Sequence, residues 1–185
     1  DFDEVLLPLD TDEFQRRIGE YSAARQVPVL CGQNWSVSDS LAICETVNQD
    51  FCAGRMWPED AHRRASARSL CAEIHSGFLA LRAAMPMNIR ARDRRVEISP
   101  EVAANIARAE TIWQQAEVDS WLFGEFSIAD AMFAPVVMRF PTYGVELSGR
   151  AADYSAWVQA DEDIRRWVAA ALCEDEIVDA DEVGA

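Results

Sequence analysis

Beyond residue 59 the apolar residues of this chain recur only with the helical period, and that pattern limits the fold more than any other feature. From Glu59 to Met85 the positions Leu70, Ile74, Phe78, Leu81 and Met85 step by 4, 4, 3 and 4, until Pro86 ends the run. Ser99-Pro100 then opens a second helix, a Ser cap followed by Pro at the first helical position. Its stripe is Val102, Ile106, Ala109, Trp113 and Ala116. A third helix starts near Ser127, and two shorter ones fill 151–171. Stripes of this kind must be buried against one another, so 59–172 is expected to be an all-α domain of about five helices.

Before residue 59 the texture is different. The runs Val5–Leu9 and Val27–Cys31 read as strands, and Asp12–Glu20 as a short helix with Phe14 and Ile18 on one face. Gly32-Gln33-Asn34 is turn chemistry leading to a third strand at Trp35–Ser38, and Ser40–Asp50 reads as a helix. The order β-α-β-β-α in about 50 residues indicates a small α/β unit with a mixed sheet. The expected architecture is therefore α+β: an α/β domain over 1–54, a linker at 55–58, the helical domain over 59–172 and an acidic tail over 173–185.

Charge follows the same divisions. The 17 basic residues are all arginine and face 32 acids, for a net charge of −15. Residues 59–100 nevertheless carry eight arginines against five acids. The absence of lysine excludes Schiff-base chemistry and a Walker-type phosphate lysine. The overall acidity argues against a nucleic-acid or anionic-membrane partner. Five scattered cysteines (Cys31, Cys44, Cys52, Cys71 and Cys173) without a CxxC pair suit reduced thiols in the cytoplasm. With only His62 and His75 beside them, no protein-built metal site is expected. The chain begins at Asp1 without an initiator Met, as a segment of a longer product would.

Three local patterns carry chemical information. Ser127 and Asp130 form a Ser-x-x-acid capping box, a structural device that satisfies two orphan N–H groups. In Gln26-Val27-Pro28-Val29-Leu30 the proline opens a strand. If its peptide bond were cis, the Val27 backbone would turn its N–H and C=O sideways to pair with an extended peptide. Ser38-Asp39-Ser40 opens a helix whose N-terminal amides suit a carboxylate, while Asp39 suits an ammonium group. Capping alone explains that cluster equally well.

Taken together, in this order and spacing, the segments resemble the cytosolic glutathione S-transferase family, in its bacterial form. The resemblance rests on the V-P-V-L strand, Asp39 to Glu45 (D-S-L-A-I-C-E), Met56-Trp57-Pro58 and Ala72-Glu73-Ile74-His75-Ser76-Gly77-Phe78. Met85-Pro86-Met87-Asn88 and Phe126-Ser127-Ile128-Ala129-Asp130-Ala131 extend it over nearly the whole chain.

The resemblance implies a thioredoxin-like N-terminal domain, an all-α C-terminal domain and a cytoplasmic homodimer. Its reaction would be transfer of the glutathione thiolate to a small hydrophobic electrophile, with glutathione as co-substrate. Val27, beside Pro28, would pair with the cysteinyl backbone of glutathione, and Asp39 with Ser40 would hold the γ-glutamyl end. Arg25 and Gln26 stand where a basic residue often contacts the glycyl carboxylate. Walls for the electrophile would come from His75, Phe78, Met85, Asn88 and Tyr143. The family's domain starts with a strand and helix bearing the activating Ser, Cys or Tyr. Here the first strand read from the sequence resembles the family's second, so the chain is expected to lack that unit and the catalytic residue is unknown. Tyr21, Cys31 and Cys44 are read as packing residues. The alternative is a non-catalytic binding or scaffold protein of the same fold.

Overall fold

The computed structural model describes residues 2–184, and the chain divides into two compact units, Asp1–Gly54 and Arg55–Ala185. In the first unit, helix α1 (Asp12–Tyr21) is capped by Thr11, whose Oγ1 accepts from the Phe14 N–H at 3.1 Å. Its buried face, Phe14 and Ile18, meets Leu7 to make a core of three residues, with Tyr21 and Val29 packed against it. Strands β1 (Val29–Cys31) and β2 (Ser36–Ser38) pair antiparallel, in the register Val29↔Ser38, Leu30↔Val37 and Cys31↔Ser36. Helix α2 (Ser40–Phe51) follows directly.

One expected element is absent. Val5–Leu9 forms no strand; among the described residues the sheet has only β1 and β2. The run has no neighbouring strand to supply ladder partners, and Pro8 has no N–H to offer. Only Leu7 is buried, while Val5, Leu6 and Leu9 stay exposed.

The second unit is helical: α3 (Ala61–Ser76), α4 (Leu79–Ala84), α5 (Pro100–Trp113), α6 (Ile128–Tyr143), α7 (Gly149–Ala160) and α8 (Glu162–Leu172), then a 3₁₀ turn at Asp179–Asp181. Residues 55–58 join this unit: Trp57 is buried under the Arg68 guanidinium, 5.5 Å from its ring, and the Met56 carbonyl accepts from the Ile128 N–H at 3.0 Å. Helix α6 is largely buried, with eleven of its sixteen residues inside, and it contacts α3 and α7. Trp113 of α5 is fully buried between Phe133, Phe140 and Tyr154, with ring centroids 6.4, 5.2 and 5.6 Å away.

The long run expected to end at Pro86 is two helices rather than one. It breaks at Gly77 and Phe78, the latter at φ 57°. A Cβ on Gly77 would lie 2.5 Å from the Glu73 carbonyl oxygen, a backbone atom that cannot move aside cheaply. Gly77→Ala is expected to cost about 1–3 kcal/mol of stability, seen as a lower urea midpoint with little change in slope.

Candidate functional site

The hairpin register decides which residues of the first unit meet. Val29 opposite Ser38 is the last pair at one end of β1–β2, so Val27-Pro28 and Asp39-Ser40 emerge side by side there. The Val27–Pro28 bond is cis. Val27 is 47 % exposed and leads into β1. Across from it, Asp39 caps α2 from a left-handed backbone, φ 84°, a conformation that costs a non-glycine residue roughly 1–3 kcal/mol. Its Oδ1 accepts from the N–H groups of Leu41 at 3.0 Å and Ala42 at 3.2 Å. Those two amides are thereby occupied from within. The half-buried Ser40 hydroxyl at the helix start, by contrast, has no hydrogen bond among the described residues.

Arg25 does not join this group. Its backbone turns at φ 55°, and Nη2 reaches back to the Gln15 carbonyl and, at 3.3 Å, to Gln15 Oε1 on α1. The adjacent Gln26 is exposed beside Val27. The structure therefore gathers Val27, Pro28, Asp39 and Ser40, leaves Gln26 next to them, and sends Arg25 elsewhere.

The Cys44 thiol is not set up as a nucleophile. Burial, then the carboxylates of Glu45 and Asp39, push the Cys44 thiol up, the opposite of what a thiolate needs. Tyr21 accepts a bond from Arg17 Nη2 at 3.3 Å. Among the described residues no group of His, Cys, Asp or Glu could hold a metal ion, and no helix is long and apolar enough to cross a membrane.

In the second unit the five residues expected to wall a pocket have distinct surroundings. Phe78, Met85 and Tyr143 are interior residues, excluded from solvent because their side chains complete the helical core. Phe78 stacks edge-on against Phe133, with ring centroids 6.2 Å apart. The Met85 carbonyl accepts from Arg139 Nε at 2.7 Å, and Tyr143 Oη donates to the Pro86 carbonyl at 2.9 Å. Burial raises the Tyr143 phenol above its ordinary pKa. Burial, then the neighbouring Arg82, lowers the Arg139 guanidinium to about 10. His75 is half-buried, and its carbonyl accepts from Arg82 at 3.3 Å. Asn88 lies on the loop after α4 and donates to Glu182 Oε1 at 2.7 Å.

The capping box is present and larger than its four-residue pattern suggests. Asp130 Oδ2 accepts from the Ser127 N–H and hydroxyl, both at 2.9 Å, while Oδ1 accepts from the Leu122 N–H and Tyr154 Oη, both at 3.0 Å. Even with four donors, burial dominates and raises this carboxyl above its usual range. Leu122 and Tyr154 lie 8 and 24 residues away and leave no trace in the local pattern.

No family model matches the sequence, and no curated protein matches it. Solved structures do match in three dimensions. A glutathione transferase homologue from Burkholderia (BGR1), with bound glutathione, aligns at a TM-score of 0.68 and 23 % identity, covering 92 % of this chain and 83 % of that one. The holo structure of maleylpyruvate isomerase, a bacterial Zeta-class transferase, gives 0.64 and 19 %, covering 90 % and 84 %. Glutathione transferase Omega 3C from Trametes versicolor gives 0.62 and 18 %, covering 82 % and 71 %. The chain thus has the glutathione-transferase fold: a thioredoxin-like N-terminal part followed by a helical C-terminal part.

Proposed function

We propose that this protein binds glutathione at the Pro28 and Asp39 end of its hairpin and serves as a glutathione S-transferase acting on a small hydrophobic electrophile. The observation that carries this reading is the meeting of Val27-Pro28 with Asp39-Ser40 in this fold. An extended tripeptide can pair with the Val27 backbone. The Ser40 hydroxyl can meet its γ-glutamyl carboxylate and Asp39 its ammonium group. The reading extends to a cytoplasmic homodimer of bacterial origin. Lowering the thiol pKa of the bound tripeptide would raise the thiolate fraction and with it the rate of attack.

A second reading, a glutathione-binding protein without catalysis, draws on the raised Cys44 thiol. The two separate when binding and turnover are measured side by side. Retention on immobilised glutathione with conjugation of an activated aryl halide supports the transferase. Retention without turnover supports the binding protein. Ser40→Ala removes one hydrogen bond and is expected to weaken glutathione binding about 5- to 10-fold, from roughly 1–1.5 kcal/mol. Ser66→Ala, at an exposed hydroxyl bonded to the His62 carbonyl on α3, serves as the control. Equal glutathione affinity in the two variants would remove the hairpin end from consideration.

A further inference from the structure

The loop following α4 carries Arg90, Arg92, Arg94 and Arg95, and the segment following α8 carries Glu174, Asp175, Glu176, Asp179, Asp181 and Glu182. Within the second unit the acidic segment returns over the arginine loop. Arg90 donates one guanidinium nitrogen to the Glu174 carbonyl and another to the Glu176 carbonyl. The Glu182 carboxylate bridges Asn88 Nδ2, at 2.7 Å, and the Arg94 guanidinium. The Gly184 carbonyl accepts from the Arg95 N–H at 2.9 Å. Asp181 adds its field to the half-buried Arg139.

The loop is held independently of these contacts. Arg94 N–H donates to the Thr142 carbonyl at 3.0 Å, and Thr142 Oγ1 donates to the Asn88 carbonyl at 2.9 Å. Asn88 Oδ1 also accepts from the Ala91 N–H at 3.1 Å. Helix α6 therefore presets the loop, and the segment docks onto a surface that is already shaped.

That docking is polar. Ile177 is 63 % exposed and Val178 37 %, so burial of apolar area contributes little. A cavity of about 230 Å³ remains beneath the segment, bordered by Ile89, Trp167 and Val178. Position 184 is selective as well. Gly184 has φ 73°, and a Cβ there would lie 2.7 Å from the Arg95 carbonyl oxygen.

We propose that the arginine loop is a docking site for an acidic peptide of the pattern Glu-x-Gly, and that the chain's own C-terminal segment occupies it in cis. The recognition code is legible in the contacts: a carboxylate for Asn88 and Arg94, a glycine two residues on for Arg95, and two upstream main-chain carbonyls for Arg90. An acidic segment from another protein with the same pattern competes for the loop whenever the internal one lets go.

The test uses the full chain. Glu182→Gln combined with Gly184→Ala weakens the internal segment and leaves the loop intact. A labelled synthetic peptide of residues 174–185 is then titrated against this variant and against the unaltered chain. The variant is expected to bind the peptide at least about tenfold more tightly than the unaltered chain, because its own segment competes less. Binding is expected to weaken about tenfold between about 50 and 500 mM salt, and to be lost when Arg94→Gln is added. No binding by the variant, or equal binding of a scrambled peptide of the same composition, overturns the proposal. A readout without added peptide runs in parallel. A Glu-specific protease is expected to cut the variant after Glu174 and Glu176 at least about fivefold faster than the unaltered chain, and equal rates likewise overturn it.

Discussion

Asp130→Ala is expected to lower the stability of the helical unit by about 3–5 kcal/mol, a large fraction of the about 5–15 kcal/mol margin that domains hold. The carboxylate is 1 % exposed and accepts from four donors. Removing it leaves the Leu122 and Ser127 amides and the Tyr154 hydroxyl without a partner in a site closed to water, at about 1–3 kcal/mol for each unsatisfied group. Chemical denaturation followed by helical circular dichroism measures the loss. A cost below about 1 kcal/mol would mean that water reaches the site and replaces the carboxylate. The direction of the pKa shift adds a pH signature. The folded carboxyl titrates above its unfolded value, so the native state holds the proton more readily. Its contribution to stability is greatest below the unfolded pKa and declines as pH rises through the raised folded value. The difference between the unaltered chain and Asp130→Ala is therefore expected to narrow over that window, and a difference that widened would reverse the assignment.

Trp113→Ala is expected to cost a similar amount, about 3–5 kcal/mol, by opening a large cavity among Phe133, Phe140 and Tyr154. Trp113 has zero exposure, and its indole N–H has no hydrogen-bond partner among the described residues. That orphaned donor makes a second variant informative. Trp113→Phe removes part of the ring together with an unsatisfied polar group, so the cavity it leaves is partly offset by the relief of about 1–3 kcal/mol of desolvation. Its cost is expected to be less than half that of Trp113→Ala, read from the same denaturation curves. Equal costs would show that the indole N–H is hydrogen-bonded in solution. Because Tyr154 touches both Trp113 and Asp130, the double variant Asp130→Ala with Trp113→Ala is expected to lose less than the sum of the two single variants.

The helical unit was legible from sequence because 3.6-residue periodicity is a local signal, and Val102, Ala109 and Trp113 sit inside as their spacing requires. The same rule failed at Gly77, where the apolar steps carry on although a side chain cannot fit beside the Glu73 carbonyl. The run VLLPL looked like a strand because hydrophobicity was counted without asking what would pair with it. Asp39 and Ser40 could be found from cap chemistry, whereas the left-handed backbone of Asp39 could not. Arg25 is a candidate only through its place in the chain beside Gln26, and the turn at φ 55° that rests its guanidinium on Gln15 has no signature in that pattern. The partners of Asp130 and the seat of Glu182 depend on residues dozens of positions apart, which no short pattern encodes.

The three-residue core of the first unit has a kinetic meaning. Leu7, Phe14 and Ile18 bury little area, and a two-stranded hairpin with one flanking helix on each side in sequence is marginal by itself. In hydrogen-exchange terms the chain is expected to run on two clocks: α6 amides exchanging only with deep opening of the helical core, and the hairpin amides through small and frequent openings. A ligand bound only by the closed hairpin slows the fast clock by mass action, by about 2.7 kcal/mol at a hundredfold excess over its dissociation constant. The most lightly built part of the molecule is thus the part whose lifetime a bound glutathione would set.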